Sequence, residues 1–353
     1  MNTAPGFSPR MRFSLSVLGA FLILALGADF FAPYGESEQY RAYFYAPPTP
    51  VHFFDRQGVF HRRPFVYRME RITEDGTVRY VENTEMAFPI QFGVRGRPYR
   101  LVGLIPWDRH LLGVPEPAHL FLLGCDELGR DVFSRLLFGA QVSLALGLLV
   151  TALSVPLGVA VGSLAGYYGG RWVDTVLMRL TDLFLALPGL YLVLALRSAF
   201  PLEFSAASPE ALKTRLFFML ALILSFLGWS SMARPVRGLV LSLRERDFIT
   251  AARALGASDG RILAVHVLPN LSGFVLVQAT LAIPAYLLAE IALSYLGLGI
   301  PEPYASWGRM LAGLQHGLDA TGRWWMWSPA AAVFLVVLAF NQLGDALSPR
   351  AGR

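Results

Sequence analysis

The side chains able to ligate a metal, move a proton or attack a substrate are few and scattered. One cysteine, Cys125, and six histidines occur in 353 residues. A lone cysteine forbids an intrachain disulfide and argues against a thiolate metal site. His52, His61, His110 and His119 show no i, i+4 spacing that would set two imidazoles on one helix face, and they read as solvated polar side chains. The phosphate loop G-x-x-x-x-G-K-[ST] is absent, as are H-E-x-x-H and G-x-S-x-G. No catalytic residue and no metal site is expected. Energy for any work must come from another subunit or from an ion gradient.

What remains is charge in or beside apolar stretches. Glu290 lies inside one, and an intramembrane carboxylate is a functional candidate by default. It could instead satisfy backbone broken after Pro284, or face water beyond a helix end. Arg179 and Asp182 stand three apart and can pair on one helix face as an anchor. Asp126, Gly129, Arg130 and Asp131 precede a long apolar run. Adjacent residues do not face each other on a helix, so Arg130 and Asp131 should pair with other elements.

A further group is the segment 239–270. Phe248, Ala251, Ala252 and Leu255 recur at i, i+3, i+4 and i+7, one apolar face kept low by its alanines. Gly256 stands where a helix end turns left-handed, Ser258 can cap a second helix, and Pro269 should end it. Arg244, Arg246, Arg253 and Arg261 surround the patch. A small apolar knob ringed by arginines suits docking to another protein. The plainer alternative is a loop that is basic because cytoplasmic loops are basic. The segment is too short and too closely tethered for nucleic acid.

The elements that position these residues follow from composition. The chain is 54% hydrophobic and 16% charged, with 30 basic and 25 acidic side chains and a mean hydropathy of +0.48. Soluble domains carry about 25% charged residues. An ordinary soluble enzyme is excluded, and so is a disordered chain, which needs low hydrophobicity. Six spans are expected, at 13–31, 140–166, 173–199, 216–238, 271–296 and 325–346. The first could be a cleaved signal peptide, but its apolar run is long and no Ala-x-Ala site follows, which favours an anchor. Arginine placement puts 1–12, 167–172, 239–270 and 347–353 inside, with both termini cytoplasmic. Gly158, Gly162 and Gly166 mark a close helix interface. Pro156, Pro188, Pro235, Pro284 and Pro329 put one proline in each of spans two to six, where proline kinks a helix.

Between the first two spans, strand-like runs alternate with turn signals. Val59–Ile72 and Thr77–Glu82 flank Glu74-Asp75-Gly76, and Phe92–Val94 and Tyr99–Leu104 flank Arg95-Gly96-Arg97-Pro98. A small, mostly β outer domain is expected.

The segment 239–270 resembles the inner-loop signature of permeases of binding-protein-dependent ABC importers: E-A-A, three residues, Gly, nine residues, I-x-L-P. Here Thr250-Ala251-Ala252 precedes Gly256 by the same spacing, and His266-Val267-Leu268-Pro269 follows nine residues later. Thr250 replaces the glutamate and His266 the isoleucine. Residues 124–135, GCDELGRDVFSR, are similar to the stretch leading into the second span of the C-type subunit in the dipeptide/oligopeptide/nickel branch. DTVLMRLTDLFLALP at 174–188, AEIALSYLGLGIPEPYASWG at 289–308 and LAFNQLGDALSPR at 338–350 resemble further segments of that subunit.

The resemblance implies an all-α polytopic membrane protein: a cytoplasmic N-terminus and first helix at 1–31, a β-rich extracytoplasmic domain at 32–123, and a five-helix core at 124–353. It implies residence in a prokaryotic inner membrane and a second homologous permease subunit. Two ATPase subunits would use ATP and magnesium, and an extracytoplasmic binding protein would deliver peptides. The chain itself would bind no cofactor. Coupling to the ATPases would fall on Arg246, Asp247, Ala251, Ala252, Arg253, Leu255, Gly256, Leu268 and Pro269. Nickel or another small solute is the alternative cargo. An ion-coupled secondary transporter and a membrane-bound enzyme are readings of other classes; no convincing internal repeat and no catalytic cluster support them.

Overall fold

The computed structural model describes residues 8–74, 77–101, 104–186, 189–199, 209–314 and 322–348. Among them, five helices are long and apolar enough to cross a membrane. They are α1 (Pro9–Leu26), α3 (Val132–Tyr167), α6 (Pro209–Leu243), α9 (Leu268–Tyr295) and α11 (Ser328–Leu347). Shorter helices are α2 (Ala28–Phe31), α4 (Trp172–Ala186), α5 (Gly189–Ala199), α7 (Asp247–Ala254), α8 (Asp259–Arg261) and α10 (Trp307–Gly313). In the expected third span the described residues are helical on both sides of 187–188, as α4 and α5. Pro188 lies between them, outside the described residues, as do Asp75, Gly76, Pro349 and Arg350.

The chain divides into two compact units. One comprises Met1–Leu18, Leu144–Leu293 and Val336–Arg353. In it, α3 packs on α6 through the glycine run. A Cβ at Gly158 would lie 2.6 Å from both the Met232 Cβ and the Trp229 carbonyl. One at Gly166 would lie 2.7 Å from the Arg237 carbonyl and the Val240 Cβ. Small residues are therefore required here for backbones to approach. Helices α3, α6 and α9 continue through Pro156, Pro235 and Pro284. Pro329 stands in the first turn of α11, where a missing N–H costs nothing. The expected break after Pro284 is absent.

The second unit comprises Gly19–Ser143 and Ser294–Leu335. It carries five antiparallel strands: β1 (His52–Phe54), β2 (Phe60–Glu74), β3 (Thr77–Pro89), β4 (Gln91–Leu101) and β5 (Ile105–Gly113). They form a sheet of order β1-β2-β3 and a separate β4-β5 pair. The β2-β3 hairpin falls where the sequence placed it, with Glu74 opposite Thr77. The expected turn at 95–98 does not exist. β4 runs through it, and the register shifts between Arg95, opposite Arg109, and Tyr99, opposite Trp107. The extra residues bulge out, which is where a strand tolerates a proline without an N–H. β5, unrecognised in the sequence, is the partner that makes β4 a full strand.

Candidate functional site

The segment 239–270 folds locally as its residues dictate, with one exception. Arg246 is an extended N-cap (φ −74°, ψ 146°), Asp247 sits in the first turn of α7 and Arg253 in the last, each complementing the helix dipole. The Gly256 N–H donates to the Arg253 carbonyl (3.0 Å) and the Ala257 N–H to the Ala252 carbonyl (3.1 Å), the paired bonds of a left-handed helix end. Gly256 has φ +82°, as that end demands. The Ser258 hydroxyl then accepts from the Arg261 N–H at 3.4 Å and starts α8.

The exception is Pro269, which ends nothing. A π-helical stretch, Ile262–Val267, joins α8 to α9, and the helix continues from Asp259 to Tyr295. The Leu268 N–H bonds the Leu263 carbonyl five residues back. Pro269 follows in the first turn of α9, and the Asn270 amide covers the His266 carbonyl at 2.7 Å. The wider π turn absorbs the missing donor.

The face of α7 turned inward is not the one the periodicity picked. Ile249 is fully buried, with Ile262, Val267 and Leu271, against Met232, Val236 and Val240 of α6. Ala252 packs on this cluster. Phe248 is 41% exposed, Leu255 89% exposed, and Ala251 faces solvent. The outward apolar patch is thus Phe248, Ala251 and Leu255, beside Arg246, Asp247 and Arg253, which are also exposed. Leu268 is likewise exposed. Ile249 was missed because a lone apolar residue between Phe248 and Ala251 reads as part of either face.

The turn between α7 and α8 is tied to the C-terminal end of α3. Tyr167 and Tyr168 both donate to the Asp259 carboxylate, at 2.6 and 3.2 Å. Arg253 donates to the Tyr167 hydroxyl at 3.2 Å, and Arg244 to the Gly169 carbonyl at 2.9 Å. These residues, with Arg171 and Glu245, line a polar pocket of about 550 Å³. None of this was read from the sequence, because the partners stand some 90 residues apart.

In the other unit, the stretch before α3 is a buried ion network. Asp126 accepts from the backbone N–H of Leu128 (2.9 Å) and Arg130 (3.0 Å), and from the Arg130 Nε (2.7 Å). Arg130 also pairs with Glu302, which accepts from the Arg309 Nε at 3.0 Å. Arg135, only 2% exposed, donates to the carbonyls of Glu36 (2.9 Å) and Pro303 (3.1 Å) and lies 3.6 Å from Asp126. Asp131 does not join the pairs. It caps α3, accepting from the Ser134 N–H and hydroxyl at 2.8 and 2.6 Å. Burial pushes its carboxyl up to about 7, against the hydrogen bonds from Ser134. Gly129 is left-handed at φ +73°, and its carbonyl accepts from the Tyr40 N–H at 3.0 Å. Burial raises the Glu302 pKa, but Arg130 and Arg135, with Arg309, outweigh it and hold the carboxylate below its ordinary value. The cluster borders a cavity of about 290 Å³. Arg135, Glu302 and Arg309 were not singled out in the sequence; Glu302 and Arg309 are distant in the chain and their signal was only charge.

Other expectations resolve singly. Glu290 is fully buried within α9, which continues through Pro284. Asp182 pairs with Arg234 of α6 rather than with Arg179, and Asp174 pairs bidentately with Arg237. Cross-helix partners win because packing α4 on α6 brings them face to face. His110 is not solvated: it is 5% exposed, its ring nitrogens on the Ala32 (3.1 Å) and Arg97 (3.2 Å) carbonyls. Among the described residues, no three His, Cys, Asp or Glu side chains converge to hold a metal ion.

The family model described as "binding-protein-dependent transport system inner membrane component" matches residues 158–353. The chain belongs to this family. This inner-membrane component is 37% identical over 235 residues to the oligopeptide transport system permease protein of Bacillus subtilis, covering 66% of this chain and 71% of that one. It is 39% identical to the dipeptide transport system permease protein of the same organism over 236 residues, 66% and 68% of the two chains. To the oligopeptide permease of Mycobacterium bovis it is 35% identical over 256 residues, 70% and 82% of the two. The matched region of the inner-membrane component contains the α7–α8 turn, the glycine-run interface and Glu290. It is a multi-pass membrane protein of a transport family.

Proposed function

We infer that this chain is the permease subunit of an ATP-driven ABC importer of peptides. The single observation carrying this is its similarity, over two thirds of each chain, to proteins named oligopeptide and dipeptide transport permeases. It sits in a prokaryotic inner membrane with six spans, α4 and α5 together making the third, and with both termini cytoplasmic. It pairs with a second, homologous permease. Two ATPase subunits, holding ATP and magnesium, dock on its inner loop, and an extracytoplasmic binding protein delivers cargo near the β-rich domain at 32–123 and the residues Asp126, Gly129, Arg130 and Asp131.

The exposed patch of Phe248, Ala251 and Leu255 with Arg246, Asp247 and Arg253 is the docking surface. Gly256 sets its angle, and the helix that resumes before Leu268 and Pro269 carries movement into the core at 124–353. ATP-driven closure then rocks the spans between inward-open and outward-open states. Glu290 is the candidate for the translocation path, an ionisable group held among helices.

Reconstitution tests this. Uptake of a labelled oligopeptide into proteoliposomes is expected to require both ATP and the binding protein. Transport by the purified chain alone, driven by an ion gradient, would overturn the assignment.

A further inference from the structure

The described residues in the distal half of the β4–β5 hairpin are mostly apolar and exposed. Leu104, Ile105 and Trp107 are 81%, 56% and 47% exposed, and the first five residues of β5 are all exposed. Arg95, Arg100 and Arg109 flank them, against the single acid Asp108. An isolated tip of this kind would be a liability in water.

Its direction is fixed by contacts at two levels. At the base, Leu112 and Val114 pack on Ala118 and Leu120. The Leu120 N–H donates to the Tyr34 hydroxyl and the Tyr34 N–H to Ser134, in the first turn of α3. Halfway along, His110 bonds the Ala32 carbonyl and Arg97 pairs with Asp29 at 3.4 Å. Here the Arg97 guanidinium lies 5.9 Å over the ring of Phe138, one turn further into α3, where Ala28 and Ala32 pack on Leu137 and Phe138. From base to middle the hairpin therefore descends alongside α3 in the direction the helix takes into the bilayer. The tip lies five residues beyond His110, about 16 Å at strand rise. Next to this flank, α1 ends in the exposed apolar residues Leu22, Ile23 and Leu26.

We propose that this tip is an interfacial anchor seated in the phospholipid headgroup and upper acyl region beside α1. Trp107 supplies an amphipathic ring suited to that depth, Leu104 and Ile105 enter the acyl boundary, and the arginines meet lipid phosphates. The inference rests on the membrane-spanning character of α1 and α3 and is independent of cargo or ATPase docking.

The test uses the full chain in nanodiscs of phosphatidylcholine and phosphatidylglycerol. Cys125 is buried, so a single introduced cysteine, Leu104→Cys, takes a bimane label selectively. Ile105→Cys serves as a second probe should the first variant misfold. Gln57→Cys, at the exposed β1–β2 turn, is the control. Lipids brominated high on the acyl chain are expected to quench the tip label several-fold more than the control, while aqueous iodide quenches the control more. Equal quenching of tip and control would overturn the proposal. So would a tip shielded from both quenchers, which would mean that protein covers it.

Discussion

Alanine at the three glycines of α3 should destabilise the chain where the same change elsewhere stabilises it. In a helix interior, Gly→Ala gains about 0.5–1 kcal/mol by removing backbone freedom from the unfolded chain. Gly238 in α6 and Gly273 in α9 have nothing within 4 Å of a new Cβ, so they should show that gain. At Gly158 the Cβ would stand 2.6 Å from the Trp229 carbonyl, a backbone atom that no rotamer change can move. Ordinary carbon contacts are about 3.5–4.0 Å, so the α3 and α6 backbones must part by roughly 1 Å. Overpacking of this kind costs about 1–3 kcal/mol, and separation also loosens Met232 and Val236 from the buried cluster they share with Ile249. The two classes should therefore differ in sign, and by about 1.5–4 kcal/mol in total. Thermal unfolding of the detergent-solubilised chain, followed by tryptophan fluorescence for Gly158→Ala, Gly166→Ala, Gly238→Ala and Gly273→Ala, reads this directly. If Gly158→Ala and Gly166→Ala melt at or above the temperature of Gly238→Ala, the close α3–α6 packing is wrong.

Three further outcomes are expected. Gly256→Asp should abolish uptake at a normal membrane level, because φ +82° costs a non-glycine residue about 1–2 kcal/mol and misdirects the α7–α8 turn; wild-type uptake would remove the coupling role. Glu302→Gln should destabilise by about 3–5 kcal/mol at neutral pH, since it leaves Arg130 and Arg135 buried beside Asp126 alone. Glu302 has a lowered folded pKa, so its contribution is complete above the ordinary glutamate range and lost as pH falls through the folded value. Melting curves of wild type and Glu302→Gln should accordingly converge in acid, and a constant gap would contradict the pairing. Finally, Asp259→Ala should cut uptake by on the order of ten-fold while the assembled complex still hydrolyses ATP, because two phenol bonds to a charged carboxylate are lost. A parallel fall in both activities would mean the tie is merely structural.

How much of this was legible depended on range along the chain. Gly256 and Ser258 announce a helix end and a cap within a few residues, and each does what local chemistry requires. The glycine run named its own interface, because a four-residue spacing of small side chains has one physical use in a membrane helix. Pairings across long separations left no trace: Asp182 looked to Arg179 three residues away, and packing gave it Arg234. β4 was broken at Pro98 for want of a visible partner, and β5 was hidden by its exposed outer half, which lacks alternation. Pro269 misled for a different reason. A proline normally stops a helix, but a π turn just upstream changes which carbonyl lacks a donor.

That uninterrupted passage through Pro269 makes the start of α8 one end of a long helix. From Asp259 to Tyr295 the helix runs 37 residues, roughly 55 Å at helical rise. The two tyrosines of α3 grip it at its first residue, and Glu290 rides near the opposite end. Asp259 and Glu290 thus belong to one continuous helix, and the π stretch at Ile262–Val267 and Pro284 are the two points between them at which it can bend. A bend at either point would uncouple the Asp259 end of the helix from Glu290.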